Sequence, residues 1–138
     1  MIAVEVQHYL GRARDFLQGV DLLREDLDAY KYSSALLGIH AAISYCDAIR
    51  IGLGTTTLSS ENHQTAAADS RSQLGMLKYD PHNGLDRLQR LIGCKSKIAY
   101  GPFESGLDFG KIVQDAIRFA AWAESTGKAL KIEGWRYE

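Results

Sequence analysis

The chain has 138 residues, 46% hydrophobic and 24% charged, with a formal net charge of −1. That length suits one domain, residues 1–138, able to bury a core without metal or disulfide staples. The charge balance excludes a protein that coats nucleic acid by bulk electrostatics, because such binding needs a surplus of Lys and Arg along one face; a local basic patch stays open.

Val6, Tyr9, Leu10, Ala13, Phe16, Leu17, Val20, Leu23, Leu27 and Tyr30 recur at steps of three and four, with Arg12, Asp15, Asp21, Arg24 and Glu25 between them. This predicts a long amphipathic first helix. A short break around residues 29–32 then requires the second helix to run antiparallel to it. The second stretch, Tyr32 to Arg50, has no charge between Lys31 and Asp47 and places apolar side chains on every side of a helical projection. A helix apolar all round is enclosed by its neighbours, so the chain is expected to be organised around this one.

The second helix is expected to end near Gly52 and Gly54, and Ser59 or Ser60 to cap a third whose buried stripe is Ala66, Ala67, Leu74, Met76 and Leu77. Asp80 and Pro81 read as the start of a fourth helix, with Leu85, Leu88, Leu91, Ile92 and Ile98 inward and a turn at Gly101 and Pro102. A last helix is expected from about Leu107 to Leu130, followed by a tail, 130–138, whose Trp135 and Tyr137 have no evident core. No strand pattern, repeat or linker is present. The fold class is all-α, a single up-and-down, mostly antiparallel bundle of four to five helices.

Cys46 and Cys94 are the only cysteines; lacking a partner at metal or redox spacing, they read as core residues of a reduced, cytoplasmic protein. Glu5, Arg12 and Arg14 are not arranged as in a signal peptide, and the uncharged run of the second helix is too short to span a membrane. His8, His40, His63 and His82 lack metal-ligand spacing, so neither metal nor cofactor is expected.

On the second helix His40, Ser44 and Asp47 project at about 0°, 40° and 340°, sharing one face. No glycine-flanked nucleophile turn precedes Ser44, which argues against a hydrolase triad. His40 and Asp47 read either as buried polar residues satisfied by other helices or as the lining of a groove. Lys95 falls in the middle of the apolar stripe of the fourth helix, where an unpaired charge is costly. It should meet an acid, Asp47 being the first candidate, or open onto a cleft for an anion. Arg87, Arg90 and Lys97 are opposed on that helix only by Asp86, which makes it locally basic.

YSSALLGIHAAISYCDAI, ENHQTAA, RLQRLIGCKSKIAYGP and DAIRFAAWAE, in that order, resemble the small bacterial and archaeal HEPN domain proteins over most of the chain. The resemblance implies an up-and-down helical bundle, commonly a homodimer. Active members are ribonucleases with an arginine followed four to six residues later by a histidine, near the end of the helix matching residues 81–98 here. Lys95 stands in the arginine's place and Tyr100 in the histidine's. Lysine keeps the charge but loses the planar fork, and a phenol of ordinary pKa about 10 is a poor base at neutral pH.

The resemblance therefore implies a nucleotide or RNA phosphate held by Asp47, Lys95 and Tyr100, with Arg87, Arg90 and Lys97 near, and without efficient cleavage. It also implies a nucleotidyltransferase, toxin–antitoxin or defence setting. Two alternatives stay open. One is a metal-independent endoribonuclease in which Lys95 stabilises phosphorane charge and His40 or Tyr100 moves the proton. The other is a non-catalytic protein interaction module.

Overall fold

The computed structural model describes residues 2–55, 65–101 and 106–136. Among them the chain is all-helical: α1 Ile2–Leu23, α2 Leu27–Gly52, α3 Ala66–Met76, α4 Gly84–Tyr100 and α5 Phe109–Ala129. The axis of the bundle is α2. From Ser34 to Ile51 almost every side chain of α2 is buried, and α1, α3, α4 and α5 all pack on it. The absence of charge from Tyr32 to Cys46 is what permits enclosure, and the two ions beyond it, Asp47 and Arg50, enter the interior as a pair 3.9 Å apart.

Side-chain pairs fix the directions. Phe16 meets His40 and Gly19 meets Leu37, so α1 and α2 run antiparallel. Arg90 meets Asp115 and Gly84 meets Trp122, so α4 and α5 are antiparallel as well. Tyr32 meets Phe109 and Tyr45 meets Glu124, so α2 and α5 run parallel. Gly38 allows the closest approach of that parallel pair: a Cβ there would lie 2.8 Å from the Cβ of Ala116. No helix among the described residues is long and apolar enough to cross a membrane.

Several boundaries differ from the sequence reading. The first reversal is a single 3-10 turn, Arg24–Asp26, so Leu27 and Tyr30 belong to α2. The expected break survives only as a kink at Tyr30 (φ −122°, ψ 28°). The three-and-four spacing had run on through the turn because a 3-10 turn keeps nearly helical periodicity. Asp80 does not cap α4; its Oδ1 accepts from the His82 amide at 2.8 Å, closing a local turn, and α4 opens three residues later, after Asn83.

In α3 the inward residues are Ala66, Ala67, Ser70 and Leu74, whereas Met76 is 86% exposed. The apolar stripe stops at Leu74 because the helix ends at Met76 and the chain turns away at Lys78, which has φ 56°. The expected cap at Ser59 or Ser60, most of ENHQTAA, the Pro102 turn and Tyr137 lie outside the described residues. Trp135 does find a core: it is 6% exposed, folded back against α5.

Gly38→Ala should force α2 and α5 apart and lower the unfolding free energy in urea by about 1–3 kcal/mol. Adding Ala116→Gly should restore part of the loss. Gly11, mid-helix with nothing within 4 Å of its Cβ position, should tolerate Ala with a gain of roughly 0.5–1 kcal/mol; equal losses at both glycines would contradict this packing.

Candidate functional site

The amphipathic pattern of α4 forms as read, with Leu85, Leu88, Leu91, Ile92 and Ile98 buried. Lys95 sits within that stripe and is half-buried, yet it makes no ion pair among the described residues. Tyr100 is 91% exposed and emerges about 140° around the helix from Lys95. Lys97 is exposed on Tyr100's side of the helix. The single groove of Asp47, Lys95 and Tyr100 is therefore not assembled; the helix divides these residues between its inner and outer faces.

The charge of α4 is only partly balanced. Asp86, its one acid, pairs with Arg71 of α3 at 3.1 Å. Arg90 reaches Asp115 of α5 at 3.6 Å. Among the described residues Arg87, Lys95 and Lys97 are left without a carboxylate. Lys97, in the last turn, is favoured by the helix dipole. No such local partner accounts for Lys95, whose neighbours along the stripe are apolar.

Asp47 takes a different partner from the one expected. Its carboxylate lies 3.9 Å from Arg50, one turn on along α2, and Arg50 bridges to Asp69 of α3 at 3.2 Å. Arg50 is itself buried, and its Nε finds no hydrogen bond among the described residues. Burial pushes the Asp47 carboxyl up to about 6 from 3.8, against the lowering influence of Arg50 and of Arg12 from α1. His40 packs beside Phe16, with ring centroids 5.8 Å apart. Ser44 is only 4% exposed, so it cannot meet a substrate as a nucleophile.

A third polar cluster was not visible from sequence spacing. Glu124 of α5 accepts both Nε and Nη2 of Arg14 at 2.8 Å, the Tyr45 hydroxyl at 2.8 Å and the Trp135 indole N–H at 3.1 Å. Arg14 also donates to the carbonyl of Arg136. Burial alone would raise the Glu124 carboxyl, but donation from Arg14 and Tyr45, the charge of Arg14 and the Trp135 N–H hold it below the usual range. Burial, then Glu124 itself, raises the Tyr45 phenol.

A carboxylate accepting four hydrogen bonds has no lone pair left for a substrate proton. The cluster is thus a structural clasp and not an acid–base pair. Arg14 lies 110 residues from Glu124, so no local motif could reveal the pair. The only hint was a tail whose aromatic residues, Trp135 and Tyr137, had no evident core.

No protein-family model matches this chain, and no curated protein matches it.

The two buried carboxylates give opposite pH dependences. For Asp47 the folded state holds its proton up to about pH 6 while the unfolded chain releases it near 3.8, so stability falls as pH rises through that window. Asp47→Asn should remove that slope and raise stability at pH 7.5 by about 2–3 kcal/mol relative to the parent. For Glu124 the folded carboxyl is depressed, so its stabilisation is present above the unfolded pKa and is lost as pH falls through the folded one. Glu124→Gln should flatten that acid limb. Urea titrations from pH 3 to 8 read both; an Asp47→Asn profile parallel to the parent's would refute the assignment.

Proposed function

We propose that this chain is a HEPN-like bundle that holds an RNA or nucleotide phosphate on α4 without cutting it efficiently. One observation carries the reading: on α4 the only acid is drawn off by Arg71, leaving Arg87, Lys95 and Lys97 unpaired among the described residues, with Lys95 in an apolar stripe. A cation kept in such a place is best explained by an anion that arrives from outside. Tyr100, exposed on the next turn, offers a flat face on which a base can stack, an interaction worth about 1–3 kcal/mol.

The class of ligand follows from the resemblance to HEPN proteins, as do the homodimer and the toxin–antitoxin, defence or nucleotidyltransferase setting. The absence of efficient cleavage rests on chemistry. A solvated phenol does not substitute for imidazole, and His40 lies on α2 beside Phe16, away from the outer face of α4. The α4 cations accordingly form no single pocket: Lys95 lies on the inner side, Arg87 about 80° around the helix from it, and Lys97 on the outer side with Tyr100 as the stacking platform, so successive phosphates of a strand would meet them around the helix; Asp47 is not part of the site.

Binding of labelled RNA and of nucleotides should be measured at two salt concentrations. The parent should bind with a negative salt slope, and Lys95→Ala or Lys97→Ala should each weaken binding uniformly across sequences and reduce that slope by about one. Because Lys95 has no acid to lose and its ammonium sits in an apolar stripe, Lys95→Ala should raise the urea midpoint or at least not lower it. No binding, or binding indifferent to both substitutions, would sink the reading; RNA cleaved in EDTA in a Tyr100-dependent way would replace it with the ribonuclease alternative.

A further inference from the structure

Residues 131–136 leave α5, turn at Lys131 (φ 52°) and Gly134 (φ 88°), and lie back along the bundle. The contact is made on bare helix backbone. A Cβ at Gly52 of α2 would overlap Ile132, and one at Gly127 of α5 would overlap the Trp135 indole. The indole lies over Gly127 and faces the Tyr45 ring, with centroids 6.4 Å apart and 29° between planes. Its N–H goes to Glu124 Oε1, while the backbone carbonyl of the next residue, Arg136, is held by Arg14 Nη2.

An open groove of about 400 Å³ is lined by Gly134 and Arg136 of the segment, and a second of about 530 Å³ by Tyr45 and Glu124, the partners of Trp135; Arg14 and Gln18 line both. The partition between them is therefore the bridge from Glu124 through Arg14 to the Arg136 carbonyl. Lifting the segment would uncover a flat slot beside them. Its base at Gly127 of α5 carries no side chain, one wall is the Tyr45 ring, and at its edge Glu124 Oε1 and Arg14 Nη2, still bonded to each other, regain an acceptor and a donor position.

We propose that residues 131–136 form a strap closed over a purine slot, in which Trp135 holds, from within the chain, the place of an incoming purine base. Indole and purine are both flat fused bicycles. A purine's hydrogen-bonding edge carries an acceptor next to an N–H, O6 and N1–H in guanine or N1 and N6–H in adenine, matching the donor and acceptor that the strap releases; pyrimidines share that edge, so the preference for purines rests on the fused bicycle that fills the indole's place. The slot is separate from α4 and does not depend on the phosphate reading. The strap lowers apparent affinity by the fraction of molecules in which it is closed.

The test uses the full chain and calorimetric titration with guanosine, adenosine, uridine and cytidine. Trp135→Ala should bind both purine nucleosides at least tenfold more tightly than the parent and should gain less than threefold for the pyrimidines. Adding Glu124→Gln should abolish the gain. Trp135→Phe, which keeps a ring but loses the N–H, should give a smaller gain and is the deciding variant if Trp135→Ala loses its helical circular dichroism.

No purine gain in a folded variant would overturn the proposal, as would an equal gain for all four nucleosides, the mark of a plain apolar hole. Unfolding of both variants would overturn it too, since the indole would then be core and not closure. Lys95→Ala removes α4 binding and Glu124→Gln removes this one, so the two readings fail separately.

Discussion

Everything in this bundle follows from the enclosure of α2. Its uncharged run from Tyr32 to Cys46 can be surrounded only if four other helices cover it, and each of those then needs just one apolar stripe of its own. Burying a Leu, Ile or Tyr of α2 contributes roughly 1.5–3 kcal/mol each, so losing one flank would forfeit several such terms at once. The covering helices are free to carry charge on their outer sides. The two polar clusters that touch α2 lie where it is approached from two sides, Tyr45 with Arg14 and Glu124 between α1 and α5, and Asp47 and Arg50 with Asp69 against α3.

Glu124 and Asp47 show how little burial alone decides. Asp47 is largely withdrawn from water and Glu124 is half-buried, and burial pushes both toward the neutral form. Glu124 is given three donors, one of them a bidentate guanidinium, and stays ionised. Asp47 has a single guanidinium at 3.9 Å, which Asp69 shares at 3.2 Å. The difference is one of hydrogen-bond count, and it separates a carboxylate that fastens the fold from one that costs it stability at neutral pH.

The fold was readable because periodicity and the lack of charge are local properties. The axial role of α2, the inward face of α4 and the span of α5 all came from residues within a few turns of each other. The apolar stripe of α3 was overextended to Met76 and Leu77, since a pattern does not show where a short helix lets go. Lys95's place in the α4 stripe was read from spacing, which left open whether it meets an acid or a cleft: whether Asp47 lies by Arg50 or by Lys95 depends on how helices are placed around α2. The clasp of Arg14, Tyr45, Glu124 and Trp135 was invisible for the same reason, its members having no sequence relation to one another.

The parallel course of α2 and α5 sets the order in which the chain can be completed. A hairpin such as α1 with α2 closes as soon as both arms exist, whereas α5 must wait until the chain has doubled back through α3 and α4. Arg14, made early, therefore stays unmatched until Glu124, 110 residues later, has left the ribosome. For that interval one side of the axial helix is bare. The nascent chain carries its most apolar segment half uncovered through most of its synthesis, and chaperone capture during translation would be expected to fall on α2.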